Sequence, residues 1–261
     1  MSLPLIALLA SLGASGGFAA GLLGFGGGVV MFPLLLYVPS LLGVAELDVK
    51  TVAAVVVTQV FFSTLVAGTA HFRSGRIHRS LTLIAGITSA GGAFVGGIAS
   101  HWVSNRVLLI LFGVVTLLVT AIMLMPAPPR SQDEISDDRI ALPAIPLAGL
   151  SIITGMLAGL LGAGNFIFPP LLIYILKVPT RIAIGSSLFI ALINTSAGFL
   201  GKLLTGQIPF LIALAVVLGA AGGALVGERV HRRLSSRVLR KIYAVLVSMI
   251  ALTVWINIWR S

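Results

Sequence analysis

The sequence predicts an all-α polytopic membrane protein. Its two homologous halves of about five helical segments each form an inverted-topology repeat, with short or broken helices at two glycine motifs. Composition, the duplicated motif and the positions of the basic residues support this prediction. Of the 261 residues, 58% are hydrophobic and only 9% are charged, whereas soluble proteins average about 25% charged residues. The 30 glycines and 12 prolines also fit, because both are more frequent in membrane helices.

The first half is organised around GLLGFGGG at positions 21–28, which interrupts an apolar run without charge from Met1 to Ala45. A straight helix of that run would extend roughly 65 Å, about twice the thickness of a bilayer core. The run must therefore break, and glycine adopts the conformations that a break needs. The following segment, 29–43, is short for a crossing of about 20 residues. We expect 3–23 to be a retained first span, because it lacks the basic start of a signal peptide.

The remaining segments of the first half lie at 51–71, 80–102 and 107–125. The next stretch is rich in proline and aspartate, which is typical of a solvated linker rather than a metal site. The second half has segments at 141–161, 166–176, 182–201, 208–228 and 238–259. The predicted division is a first transmembrane repeat at 1–125, a polar linker at 126–140 and a second transmembrane repeat at 141–261.

Matching blocks indicate that the halves are duplicates. GLLG at 21–24 matches GLLG at 159–162, and GGAFVG at 91–96 matches GGALVG at 222–227. The two pairs of blocks follow in the same order, but the first pair is separated by seven more positions than the second. The larger first spacing means that the first half holds seven extra residues, which we expect in the connection 39–50.

The basic residues predict how the chain lies in the membrane. Five segments per half is an odd number, so equivalent loops face opposite sides. With the N-terminus outside, thirteen Lys and Arg residues lie inside and four outside, the four being Lys50, Arg106, Lys202 and Arg260. This inside excess supports the inverted repeat. The net charge of +10 therefore reflects topology, and we expect no nucleic-acid partner because aromatic residues do not interleave with the basic ones.

A helix break inside the membrane also predicts an anion site. The helix after the break begins with unpaired N–H groups and the positive end of its dipole, which together bind anions. A broken helix in each half is typical of a transporter binding site, and no Lys or Arg lies in the middle of a predicted span. The candidate residues are Gly24, Gly26, Gly27, Gly28, Gly162, Gly164 and Asn165. The alternative is that these glycines only allow close helix packing.

Neutral polar residues inside the third and eighth segments are further candidates, namely Gln59, Ser187 and Asn194. Their alternative role is interhelical hydrogen bonding. His71 and His101 lie at span ends and are weaker candidates for a coupling proton. The chain has no Cys, which excludes disulfides and thiolate metal sites, and it lacks nucleotide-binding and zinc-hydrolase motifs. We therefore expect no cofactor and no metal.

GLLGFGGGVVMFP at 21–33 and GLLGAGNFIFPP at 159–170 resemble the paired glycine motifs of the sulfite exporter TauE/SafE family, also called the four-toluene sulfonate uptake permeases. The resemblance covers nearly the whole chain. It implies a multi-pass transporter of the bacterial inner membrane for a small sulfur-containing anion such as sulfite, a sulfonate or sulfoacetate. Together with the residues, it predicts a secondary transporter, an exporter in our interpretation, that works by alternating access around a midplane anion site. Asn165 and Phe166 depart from the pattern, because they stand where two more glycines are expected.

Two other functions stay open on the sequence. A passive anion channel is the nearer one, since a potential of 100 mV favours anion exit by about 2.3 kcal/mol per charge without a coupling ion. The other is an intramembrane protease, because GASGG at 13–17 resembles the nucleophile motif of rhomboid proteases. That chemistry needs a His within reach of Ser15, and no His lies in the middle of a predicted span. We therefore expect that the protein is not an enzyme.

Overall fold

The computed structural model describes residues 3–23, 26–71, 78–125, 144–178 and 180–260. Apart from short connections, these residues are helical, which confirms the all-α prediction. The helices are α1 (Leu3–Leu23), α2 (Gly28–Leu41), α3 (Val49–His71), α4 (Arg79–Ala99), α5 (Asn105–Leu124), α6 (Ala144–Leu161), α7 (Gly164–Ile175), α8 (Thr180–Leu204), α9 (Phe210–Arg233) and α10 (Ser236–Arg260). The predicted linker at 126–140 lies outside the described residues.

Eight of the described helices are long and apolar enough to cross a membrane, which confirms a multi-pass membrane protein. The two shorter apolar helices are α2 and α7. Each follows one of the glycine motifs, as the sequence predicts. At about 1.5 Å per residue, the 14 residues of α2 extend only about 21 Å, less than the thickness of a bilayer core.

Helix α7 is irregular along its whole length. A 3-10 turn at Gly164–Ile167 leads through Phe168–Pro170 into a π-helical turn at Leu171–Ile175. Its two successive prolines cannot donate backbone hydrogen bonds, so a regular α-helix is disfavoured here. The Tyr243 hydroxyl of α10 donates to the Phe166 carbonyl and fixes the 3-10 turn from one side.

The two halves pack through two equivalent helix pairs, each with one helix from each half: α1 lies on α9, and α4 lies on α6. These contacts are backbone to backbone. A methyl group at Gly13, Gly17 or Gly21 of α1 would lie 2.1 Å from a carbonyl oxygen of α9. One at Gly92 or Gly96 of α4 would lie 2.2 Å from a carbonyl oxygen of α6. Small residues at regular spacing allow this approach, which is the usual basis of close helix packing in membranes.

Contacts at helix ends give the helix directions. α3 and α4 run antiparallel, because Lys50 near the start of α3 donates from Nζ to the His101 carbonyl just beyond α4, at 2.7 Å. α4 and α8 run parallel, because the His78 amide at the start of α4 donates to the Ser186 hydroxyl early in α8, at 3.2 Å. The repeat-equivalent helices α3 and α8 therefore point in opposite directions. An inverted repeat requires this, and its orientation in a membrane stays a prediction.

The seven extra residues of the first half are not all in the connection 39–50, so that expectation is only partly right. α1 ends at Leu23 and α2 begins at Gly28, whereas α6 ends at Leu161 and α7 begins at Gly164. α2 ends at Leu41 and α3 begins at Val49, whereas α7 ends at Ile175 and α8 begins at Thr180. The remainder lies in α2, which is longer than α7. The extra length therefore enlarges the first break as well as the loop behind it.

Candidate functional site

The first break lies between α1 and α2. Gly26 and Gly27 have φ values of 89° and 68°, in the left-handed region that glycine tolerates best. Gly27 caps α2, and its carbonyl accepts two N–H groups of the first turn, each at 3.1 Å. The N–H groups of Gly28 and Val29 come earlier and have no acceptor within their own helix. The positive end of α2 therefore points into the break.

The second break has a different construction. α6 ends at Leu161, and Gly162 turns the chain with a φ of 71°. The next element is the four-residue 3-10 turn that begins α7. A turn of this length sums few peptide dipoles, so its start attracts an anion less strongly than the start of α2. The second break offers instead the side chain of Asn165, which lies in this turn.

The two breaks lie against each other on helix α3. A methyl group at Gly28 would lie 3.0 Å from the Cα of Ala163 and 3.0 Å from a methyl of Val60 on α3. One at Gly162 would lie 2.0 Å from the Ala53 carbonyl oxygen, also on α3. The structure thus brings one break from each half to a common place, with α3 packed along both.

Buried amide groups lie at both breaks. Gln59 of α3 is 0% exposed; its Nε2 lies 3.5 Å from the Gly26 carbonyl oxygen and 2.8 Å from the Ser63 hydroxyl. Its Oε1 has no hydrogen-bond partner among the described residues. Asn165 is 1% exposed, and neither of its side-chain polar atoms has a partner in the described part of the chain. Buried unpaired groups are rare in folded proteins, and a bound ligand or water is a common explanation.

Helix α8 contributes two further candidates, Ser187 and Asn194, which are both 1% exposed. Their side-chain polar atoms also lack hydrogen-bond partners within the described ranges. One turn after Asn194, a methyl group at Gly198 would lie 3.4 Å from Val57 of α3 and 3.6 Å from the Cα of Gly159 near the end of α6. α8 therefore runs beside the second break, but no described hydrogen bond joins Ser187 or Asn194 to it.

The motif glycines have a packing role, which was the alternative to a binding role. A methyl group at Gly27 would lie 2.1 Å from the Gly16 carbonyl oxygen of α1. One at Gly164 would lie 2.5 Å from the Cα of Ala158 in α6. The two roles are compatible, because close packing uses the missing side chain and a ligand would use the N–H group. Gly24 lies outside the described residues.

Lys202 corrects one expectation of the sequence analysis. It was assigned to an outside loop, but α8 continues to Leu204, and Lys202 is 0% exposed. Its Nζ donates to the Ser100 hydroxyl at 2.6 Å and to the Leu160 carbonyl at 3.3 Å. The signal that could have found it is the apolar pair of residues directly after it, Leu203 and Leu204. An ionisable residue inside a membrane helix is a functional candidate by default.

The other candidates lie away from the breaks. Ser15 is exposed on α1, and its hydroxyl donates to the Ser11 carbonyl of its own helix at 3.2 Å. His101 is exposed beyond α4, with its ring 5.3 Å from that of Trp102 between centroids. The side chain of His71 lies outside the described part of the structure.

Comparison with known proteins decides the family. The profile described as "Sulfite exporter TauE/SafE" matches residues 9–254. The chain belongs to this family. A probable membrane transporter protein of Xylella fastidiosa is 33% identical over 187 residues, which cover 69% of this chain and 68% of the relative. The probable membrane transporter protein YunE of Bacillus subtilis is 24% identical over 229 residues, which cover 82% and 84%. No solved structure matches the chain.

Membership of the TauE/SafE family confirms the resemblance that the glycine motifs predicted. It makes the protein a membrane transporter at the level of its family. In this TauE/SafE member, the two motifs that carry the resemblance are also the two breaks that meet on α3.

Proposed function

We propose that this TauE/SafE protein is a secondary transporter that exports a small sulfur-containing anion across the bacterial inner membrane. The anion is of the class of sulfite, a sulfonate or sulfoacetate. The observation that carries the proposal is the meeting of the two breaks beside two buried amide side chains, the unpaired amide of Asn165 and the amide of Gln59, whose Oε1 has no partner among the described residues. Transport would proceed by alternating access around this site, as in other transporters with a broken helix in each half.

The groups at the breaks suit a small oxyanion. The start of α2 supplies a positive potential and N–H donors. The Asn165 amide adds two N–H donors, which have no acceptor among the described residues. The Gln59 amide donates one N–H to Ser63 at 2.8 Å, and its other N–H has the Gly26 carbonyl oxygen only at 3.5 Å. These neutral donors contribute hydrogen bonds to the anion without adding a charge of their own.

Sulfite as substrate and export as direction come from the family description; the names of the relatives specify a membrane transporter alone. The membrane potential can drive export without a coupled ion, because it favours anion exit by about 2.3 kcal/mol per charge at 100 mV. Protons are the alternative coupling ion. For an alkyl sulfonate, which stays fully ionised near neutral pH, a pH gradient across liposomes of fixed potential separates the two cases, since only proton-coupled flux of this anion responds to it.

Binding by the purified protein tests the site. Sulfite, thiosulfate, sulfate and short alkyl sulfonates are titrated by calorimetry against the native protein and against Asn165→Leu and Gln59→Leu. A hydrogen bond to a charged ligand contributes about 1.5–3 kcal/mol. We therefore expect each variant to bind the preferred anion about tenfold or more weakly. Thr116→Val is the matched control, because the Thr116 hydroxyl is buried in α5 and donates to the Gly113 carbonyl of its own helix at 2.8 Å.

The outcomes are decisive for the site and for the transport mode. Equal affinity of the native protein and both amide variants would overturn the assignment of the site. In proteoliposomes, saturable flux that is accelerated by anion on the opposite side would support alternating access. Flux that rises linearly with anion concentration and shows no such exchange would favour a passive channel instead.

A further inference from the structure

Lys202 lies at the second break. Its Nζ is 3.3 Å from the carbonyl oxygen of Leu160, the last residue but one of α6, and two residues before Gly162. The Ser100 hydroxyl just beyond α4 is the second acceptor, at 2.6 Å. The side chain therefore joins the ends of α4, α6 and α8 at the point where the second half of the chain is interrupted.

The charge of Lys202 has little compensation in this position. The residue is 0% exposed, and in the described part of the chain its ammonium has a hydroxyl and a carbonyl as partners. The C-terminal end of α6 contributes a partial negative charge, which is less than a carboxylate would supply. An ammonium has three N–H groups, so two acceptors leave one N–H for another partner. Burial of a full charge on these terms is unfavourable, and an anion bound beside the ammonium would offset part of that cost.

The first half has a related contact. The Leu22 carbonyl, one residue before the end of α1, lies 2.7 Å from the Nδ1 of His231 in α9. Leu22 and Leu160 are equivalent, because each is the second residue of its GLLG block. His231 and Ser100 are equivalent as well, because each follows its matching block of α9 or α4 at the same distance along the chain. A basic side chain thus meets the carbonyl end of the broken helix in each half.

We propose that Lys202 is an anion-binding residue, whose ammonium binds the transported anion as it occupies the second break. The inference rests on the proposed function and deepens it. With no anion present, the Leu160 carbonyl and the Ser100 hydroxyl hold the ammonium beside the break. When the anion arrives next to Asn165, it receives the remaining N–H and neutralises the buried charge.

The substitution Lys202→Gln tests this proposal. Glutamine removes the charge and keeps N–H donors for Leu160 and Ser100, although its side chain is one bond shorter and carries an added carbonyl oxygen. We expect the variant to fold and to bind the preferred anion about tenfold or more weakly, because hydrogen bonds to charged groups contribute about 1.5–3 kcal/mol. Lys50→Gln is the matched control: Lys50 donates from Nζ to the His101 carbonyl at the same end of the bundle, so it changes the nearby charge equally without touching the break.

Calorimetric affinities of the native protein and the variants separate the possible results. Weaker binding in Lys202→Gln but not in Lys50→Gln supports the proposal. Near-native affinity in Lys202→Arg, which keeps the positive charge, also supports it. Equal affinity of Lys202→Gln and the native protein overturns it and leaves Lys202 as a cap of α6. A variant that binds the anion normally but no longer responds to a pH gradient also overturns it, because Lys202 would then carry a proton. Failure of the native protein to bind any of the anions would be a failure of the proposed function itself.

Discussion

Gly27 combines a left-handed backbone with close contact to α1. Its φ is 68°, and a methyl group there would lie 2.1 Å from the Gly16 carbonyl oxygen. Gly43 has a similar φ of 63°, but no described atom lies within 4 Å of the position that a methyl would take. We expect backbone strain to lower the stability of Gly43→Ala by only about 1–2 kcal/mol. Gly27→Ala should lose more stability. The midpoints of thermal unfolding in one detergent measure the difference.

Equal midpoints for these two variants would mean that the first break relaxes around a methyl group. The expected result has a practical consequence for the site. Loss of transport after a change at Gly27 reports on packing as much as on binding. Asn165 is a better probe, because neither polar atom of its side chain has a partner among the described residues.

The polar residues of the site were only partly predictable from the sequence. Gln59 and Asn165 stand out because each is an amide within an apolar run. Lys202 was missed because it ends such a run, and a lysine there is normally assigned to a loop. Its burial depends on contacts from other helices, such as that with Ser100. The turn that follows Lys202 is closed by the backbone N–H of Gln207, which donates to the Lys202 carbonyl at 3.0 Å.

Helix α9 contains two adjacent glycines in opposite environments. A methyl group at Gly223 would lie 2.0 Å from the Ala14 carbonyl oxygen of α1, whereas one at Gly222 would have no described atom within 4 Å. We expect Gly223→Ala to destabilise the protein by about 1–3 kcal/mol through overpacking. Gly222→Ala should be neutral or slightly stabilising, because alanine is the better helix former. Thermal unfolding of the two variants in detergent checks this.

The same pair of environments occurs in helix α4, where Gly92 faces α6 and Gly91 has no described atom within 4 Å of an added methyl group. We therefore expect Gly91→Ala and Gly92→Ala to differ in stability in the same way as the two α9 variants. If both interface variants, Gly92→Ala and Gly223→Ala, were as stable as their neighbours, the close backbone contacts of α4 with α6 and of α1 with α9 would not contribute to stability.

The short helices after the motifs were predicted by length, but their internal geometry was not. A glycine cluster within an uncharged run requires a break, which any reading of the sequence detects. The 3-10 and π-helical turns of α7 depend on two consecutive prolines and on the hydrogen bond from Tyr243 to Phe166. Tyr243 comes from a helix that is distant in sequence, so its effect on α7 was outside the reach of local patterns.

In the assembled bundle, the two halves pack together through helix pairs that combine one helix from each half. The duplicated blocks predicted which helices are equivalent, but equivalence does not say which helices touch. The pairing of α1 with α9 and of α4 with α6 arises from the small residues that line both surfaces. α3 packs on α8 and contacts both breaks. If access alternates, we expect the two glycine-lined pairs to move as units, because their backbones are in direct contact.

The orientation of the halves is testable at two equivalent serines. Ser104 and Ser235 occupy matching positions of the duplicated halves, and both are exposed. Each hydroxyl accepts the N–H of the residue three positions on, at 3.3 Å and 3.4 Å, and so caps α5 or α10. The inverted repeat puts Ser104 outside the cell and Ser235 inside it.

The chain has no cysteine, so a single introduced cysteine reports its own side of the membrane. We expect Ser104→Cys to react with a membrane-impermeant maleimide added to intact cells. Ser235→Cys should react only after the membrane is opened. Loss of either cap reduces stability by about 1 kcal/mol, which leaves the fold intact for labelling. Reaction of both variants from the same side would mean that the halves share one topology. In that case the start of α2 and Asn165 would not be related by an axis in the membrane plane, and the site would have to open by a motion other than exchange between inverted halves.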